Sequence, residues 1–186
     1  CDNFKAISVQ PFRNASEACM SLKNKKLDAV IIDLTLASLI VQENKDLTIV
    51  DLNLPEESYG FAVKKGNKEL LDSINNTIKK LTESGTYSML IKSFLPLDGN
   101  IIIPEIETLK VKEVVKMGTN AAFPPFEYIK GSEAVGFDVS MSKLIAKDLN
   151  KKLQVVDMSF DGLIAAVQSG AVDFVAAGMT ATDERR

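Results

Sequence analysis

The 186-residue chain contains no histidine and only two cysteines, Cys1 and Cys19. The missing histidine closes off Ser-His-Asp and Cys-His nucleophile chemistry, together with the commonest transition-metal ligand. Two cysteines are too few for a disulfide framework, and their number alone does not fix the redox compartment. Charge of one sign is also scarce. With 22 basic and 25 acidic residues, a net charge of −3 and no block of five like charges, the chain carries no footprint for nucleic acid or an anionic membrane. The longest apolar stretch, residues 27–41, is interrupted by Asp28 and Asp33, and no basic, apolar and cleavage-site pattern opens the chain. Neither a membrane span nor a signal peptide is expected. Dinucleotide, Walker, paired-cysteine zinc and calcium-loop patterns are all missing, so no cofactor and no metal is expected.

What remains is an ordinary globular balance, with 46% apolar and 25% charged residues, and enough length for one domain or two small lobes. Helical periodicity alternates with short apolar runs, which argues for an α/β fold around a largely parallel sheet. Strands are expected at residues 5–9 and 29–32, with extended chain at 47–52 and 60–63. Asn14-Ala15-Ser16-Glu17 opens a helix with Ala18, Leu22 and Cys19 on its apolar face, and a second helix covers residues 35–43. Residues 69–84 form the clearest amphipathic helix, with Leu70, Ile74, Ile78 and Leu81 on one face and Gly85 just past its end. A shorter helix follows at 87–94. Residues 97–112, with Asp98-Gly99-Asn100 and Pro104, read as a connector.

Beyond the connector, strands are expected at 114–118, 153–156 and 174–177, and helices at 137–150 and 162–169. Residues 119–128 form a loop stiffened by Pro124-Pro125. Residues 178–185 form a strand-end loop that leads into a further helix. Leu27-Asp28-Ala29-Val30 echoes Val172-Asp173-Phe174-Val175, each placing an aspartate at the mouth of a buried strand. Two similar lobes would explain the echo, and so would convergence of αβ units.

Open α/β sheets bind ligands beyond the carboxyl ends of their strands. Three loops lie there. Phe123 and Phe126 sit on the first, where either ring would serve a ligand or the core. On the second, Gly178 permits close backbone approach, Thr180 offers a hydroxyl, and Arg185 offers a planar fork suited to a carboxylate or an ordinary surface cation. On the third, Asp33 either faces a ligand ammonium or caps the helix that follows. Cys1 suits an acylated lipoprotein cysteine or a plain strand start.

These segments resemble the bilobal solute-binding proteins of polar amino-acid ABC transporters. The stretch Val114-Val115-Lys116-Met117-Gly118-Thr119-Asn120 through Phe123-Pro124-Pro125-Phe126-Glu127 is similar to that family's opening lobe. So are Gly136-Phe137-Asp138-Val139, Phe160-Asp161-Gly162-Leu163-Ile164 and the run from Gly178 to Arg186. Asn14-Ala15-Ser16-Glu17-Ala18, the run from Leu27 to Asp33, and Tyr59-Gly60-Phe61-Ala62-Val63 onward to Phe94 resemble its closing half. The resemblance implies flavodoxin-like lobes of a type II periplasmic-binding-protein fold, one near complete and the other truncated. Residues 1–55 would be part of the second lobe. Residues 56–96 would supply the crossover and last helices of the first lobe, 97–112 the connector, and 113–186 its head. The tail half precedes the head half, as at a junction of tandem domains or in a circular permutant.

By the same resemblance the chain binds a free amino acid without catalysis and hands it to a membrane ABC permease, in the periplasm or outside the cell. Arg185 would take the α-carboxylate with Gly178 and Thr180, Asp33 the α-ammonium, Phe123 would stack on the ligand, and Phe160 would line the pocket. Incomplete lobes would also allow self-association or domain swapping. Two other functions fit the scaffold. One is the ligand-sensing domain of a receptor or sensor kinase. The other is a dehydratase-like enzyme, for which Glu127 or Glu184 would have to act as acid or base.

Overall fold

The structure, a computed structural model, describes residues 8–52, 58–96 and 100–185, the Glu184 side chain excepted. Cys1, residues 5–7 of the expected first strand, the boundary expected at 55/56, the Asp98-Gly99 turn of the connector and Arg186 lie outside the described residues. The chain divides into two units, Cys1–Ile32 and Asp33–Arg186.

In the first unit Asn14 initiates α1 (Ala15–Lys23), its side chain accepting the Glu17 N–H at 3.0 Å. That bond satisfies one of the donors a helix start leaves open. Residues 29–32, expected as a buried strand, form none, and Ile31 is 57% exposed. A strand buried on both faces needs sheet neighbours and covering layers. No described residue pairs with this segment as a strand, and Val30 and Ile32 are only half-buried. The echo between the two aspartates therefore breaks. Asp173 does sit at a strand mouth, its carboxylate accepting the Lys116 N–H at 2.7 Å, whereas Asp28 has no strand to introduce.

The second unit opens with α2 (Leu34–Glu43); the extended segment expected at 47–52 carries no ladder. There follow β1 (Ala62–Val63), α3 (Lys68–Glu83) and α4 (Thr86–Phe94). The described part of the expected connector has no helix or strand. After it come β2 (Val114–Thr119), β3 (Ala122–Phe123), β4 (Glu127–Lys130), β5 (Glu133–Val135) and α5 (Phe137–Asp148). Then come β6 (Lys152–Asp157), α6 (Leu163–Ser169) and β7 (Phe174–Val175). The expected last helix is a 3-10 turn, Asp183–Arg185.

The main sheet has the order β1-β7-β2-β6. β2 runs parallel to both β6 and β7, and β1 pairs antiparallel with β7. Period-two alternation sorts the core onto its two faces. Val115, Met117, Phe174 and Ala176 meet Ile74 of α3 with Val139 and Ile145 of α5 on one side. On the other, Val175 and Ala177 pack with Leu163 and Val167 of α6. Gly118 belongs to that second face, where a Cβ would come within 3.1 Å of Val172. The helix α3 is tied to the end of α5 by Asp148, which accepts from the Thr77 hydroxyl at 2.8 Å and the Lys80 ammonium at 2.7 Å.

The expected loop 119–128 contains structure of its own. It supplies β3 and the start of β4, the first two strands of a small antiparallel sheet β3-β4-β5 closed by a tight turn at Gly131 (φ 64°). Its rings join a third apolar cluster of Leu90, Phe94, Phe126, Phe137 and Met141.

Met117 is fully buried at the centre of the main sheet. Truncation to alanine removes most of a side chain from a site that cannot collapse and should cost about 2–5 kcal/mol. Urea denaturation measures that loss directly.

Candidate functional site

The parallel strands β2, β6 and β7 deliver three loops to one end of the sheet. The first two are joined at once. Met158 donates its N–H to the Thr119 carbonyl at 2.9 Å, and Asn120 Nδ2 donates to the Met158 carbonyl at 2.9 Å. Asp157 Oδ1 accepts the Ala121 N–H at 2.8 Å. Phe160 leaves this second loop in a 3-10 turn, Phe160–Gly162.

The third loop follows β7 and carries Gly178, Thr180 and Arg185. Gly178 has a φ of 50°, and a Cβ there would sit 2.6 Å from Cε1 of Phe123. Both facts demand glycine. Thr180 forms a β-bridge with Tyr59, and the Gly60 N–H donates to the Met179 carbonyl at 2.9 Å. Arg185 curls back so that Nη1 donates to the Thr180 carbonyl at 2.9 Å, with its guanidinium carbon 5.5 Å from the centroid of the Phe160 ring. Cation–π attraction and the carbonyl together orient a side chain that is otherwise exposed.

Phe123 is half-buried and stacks on Phe126, ring centroids 5.5 Å apart; Phe126 is 8% exposed. Phe126 is therefore a core ring, and Phe123 rests between it and Gly178. Five expected site residues, Phe123, Phe160, Gly178, Thr180 and Arg185, thus stand at one end of the sheet. Asp33 occupies the cap position before α2 but makes no side-chain capping bond. Its carboxylate lies within electrostatic range of Glu127, the residue paired with Phe123 across the β3–β4 ladder.

Behind the loops lie two buried acids: Glu127, expected only as acid or base of the dehydratase-like alternative, and Asp138, which no expectation singled out. Asp138, 7% exposed, accepts the Gly178 N–H at 3.0 Å. Glu127, 1% exposed, has neither carboxyl oxygen in a well-formed hydrogen bond and lies beside the Asp138 carboxyl. Burial, then the Asp138 charge, pushes the Glu127 carboxyl up to about 11. Burial also raises Asp138, to about 6, against the opposing pull of the Gly178 N–H and the Glu127 hydrogen. The pair holds one proton at neutral pH, on Glu127. A signal was present in the sequence, since each acid sits inside an apolar run, Phe126-Glu127-Tyr128 and Phe137-Asp138-Val139.

Residues 115–186 match the bacterial extracellular solute-binding proteins, family 3. The arginine-binding extracellular protein ArtP of Bacillus subtilis is 47% identical over 75 residues, 40% of this chain and 29% of that protein. A probable histidine-binding protein of Campylobacter jejuni is 42% identical over 72 residues, 39% of this chain and 28% of its own length. The arginine-bound form of a truncated ArgBP from T. maritima aligns with a TM-score of 0.39 and 43% identity, over 40% of this chain and 35% of that one. The chain spans less than a third of the length of these two curated relatives.

Two variants probe this geometry. Gly178→Ala must displace the Phe123 ring and strain the backbone, and should lower stability by about 1–3 kcal/mol, read by a thermal melt. Glu127→Gln tests the buried proton. Because the folded carboxyl is raised from 4.5 to about 11, its stabilising contribution is complete below about pH 4.5 and drains away as pH rises towards 11. The glutamine variant should therefore lose less stability than the parent between about pH 5 and pH 9, as measured by urea unfolding at each pH. The resemblance drawn from the sequence thus stands over residues 115–186, which carry the pattern of the bacterial extracellular solute-binding proteins, family 3.

Proposed function

We propose that this chain binds a free amino acid, without catalysis, for import through a membrane ABC permease in the periplasm or at the outer cell surface. The observation that carries the reading is Arg185, held by the Thr180 carbonyl and the Phe160 ring beside the Gly178 turn. A guanidinium has five donors, and the bond to Thr180 uses one. The α-carboxylate of the ligand is taken by Arg185 with the Thr180 hydroxyl, and Gly178, whose N–H is held by Asp138, helps by letting the ligand approach the backbone closely. Phe123 stacks on the ligand, Phe160 lines the site, and Asp33 takes the α-ammonium. A zwitterion asks for one fixed cation and one fixed anion, each worth more where water is excluded.

The organisation that goes with this reading is a first lobe made from residues 56–96 and 113–186, linked by 97–112, and a partial second lobe in residues 1–55. The pairing of β1 with β7 supports the first of these assignments. Exchange of lobes between copies belongs to the same proposal. The names of the relatives direct attention to arginine and histidine, and no helix among the described residues is long and apolar enough to cross a membrane.

Calorimetry with L-arginine, L-histidine and the remaining amino acids tests the proposal; absence of heat and of thermal shift with all of them ends it. Arg185→Ala should weaken binding roughly 10- to 100-fold, the loss expected for a charge-assisted bond. Because Arg185 is exposed, the melting temperature should not change, and unaltered affinity would remove it from the site.

A further inference from the structure

Asp138 is bonded to two ligand-facing loops at once. Its main-chain N–H donates to the Phe126 carbonyl at 2.9 Å, and Phe126 in turn donates its N–H to the Phe123 carbonyl at 3.0 Å. Its side chain reaches the other way, to the Gly178 N–H at 3.0 Å. Between these two bonds, Gly178 and the Phe123 ring lie so close that a single added carbon would overlap the ring. We propose that Asp138 is a positioning residue of the ligand site, clamping the Phe123 loop to the Gly178 loop, with the Glu127 carboxyl holding it as proton donor from behind. Its consequence for binding rests on the amino-acid reading above; its geometry does not.

The clamp needs a charged acceptor. An ionised carboxylate makes a shorter and stronger bond to an N–H than a neutral carbonyl oxygen does. Asp138 lies in the first turn of α5, where the helix dipole favours that charge. Glu127 completes the arrangement, because an acid with both oxygens otherwise unsatisfied is stable in this interior only with its proton on and aimed at a neighbour. The charged groups that act on the pair, among the described residues, are the two carboxyls themselves and Asp33 at the start of α2. All three are acids. Protonation of Asp138 therefore weakens its side-chain bond to the Gly178 N–H, and with it the hold of the Gly178 turn on the Phe123 ring, while the main-chain bond to Phe126 stays.

Amide NMR on the whole chain, followed from about pH 4.5 to pH 8.5, reads this directly. The amides of Gly178 and Phe123 should shift together with one midpoint near about 6. Glu127→Gln should keep the step, since its amide still donates to Asp138. Asp138→Asn should abolish it. A Gly178 amide that ignores pH in the parent chain, or a step that survives Asp138→Asn, overturns the clamp. Where Asp138→Asn fails to fold, Glu127→Leu takes its place: loss of the donor must move the midpoint upward, and an unmoved midpoint overturns the proposal.

L-arginine is the binding probe, because its own charges stay constant from about pH 5 to pH 8. Its affinity should fall about fivefold on crossing the midpoint downward, the loss expected when a charge-assisted bond becomes a neutral one. Constant affinity alongside a titrating amide overturns the positioning role. Absence of heat at every pH counts instead against the amino-acid reading, and the Gly178 titration still decides the clamp.

Discussion

A hydrogen bond from a loop glycine to a buried carboxylate governs how this end of the molecule is built. Strand ladders stop at Thr119 and Val175, and beyond them the loops must be held by other means. Asp138 supplies one, reaching Gly178 with its side chain and Phe126 with its main chain. Phe123 then has a single place to go, stacked on Phe126 and pressed against a residue with no side chain. Burial of a charge is costly, and the cost is offset here by the Gly178 N–H, the Glu127 hydrogen and the helix start. The same carboxylate in solvent would form a weaker bond and would leave the loops independent.

Residues on both sides of the connector build one sheet. The segment ahead of it contributes β1, which pairs with β7. Gly60 and Tyr59 extend that pairing to Met179 and Thr180, alongside the candidate ligand residues. Tyr59 also sets its ring edge-on to Phe126 at 5.2 Å. The helices α3 and α4 cover the sheet and the Phe126 cluster, and Asp148 fastens α3 to α5. Antiparallel addition of β1 needs only that the strand arrive at the free edge of β7, from whichever direction the chain supplies it.

The helices were legible in the sequence, and for a physical reason. Periodic apolar residues and an asparagine before α1 and α3 are local signals, and neither depends on distant partners. Strands β2, β6 and β7 were legible because each has the neighbour its apolar run implies. The run at 29–32 looked the same and formed nothing, since the difference lies in the partner and not in the segment. The small sheet β3-β4-β5 was missed even though Gly131-Ser132 stands between two short extended runs, the usual mark of a hairpin. The expected Arg185, Thr180, Gly178, Phe123 and Phe160 gather at one end of the sheet, because strand ends are where a parallel sheet exposes its loops. Asp138 and Glu127 were seen as residues but not as a pair, for their adjacency arises from packing α5 against β4 and has no trace in spacing.

Two carboxyls sharing a proton also make acid–base catalysts, so the fate of this pair bears on what the site does. A catalytic acid must reach the atom it protonates, within hydrogen-bond distance or through one water. Glu127 is 1% exposed and lies beside the Asp138 carboxyl, while Asp138 accepts the Gly178 N–H. Both ends of the pair are thereby spent on the polypeptide itself. What the arrangement delivers to the loop surface is a fixed backbone and a fixed ring, the support that the proposed amino-acid site asks for.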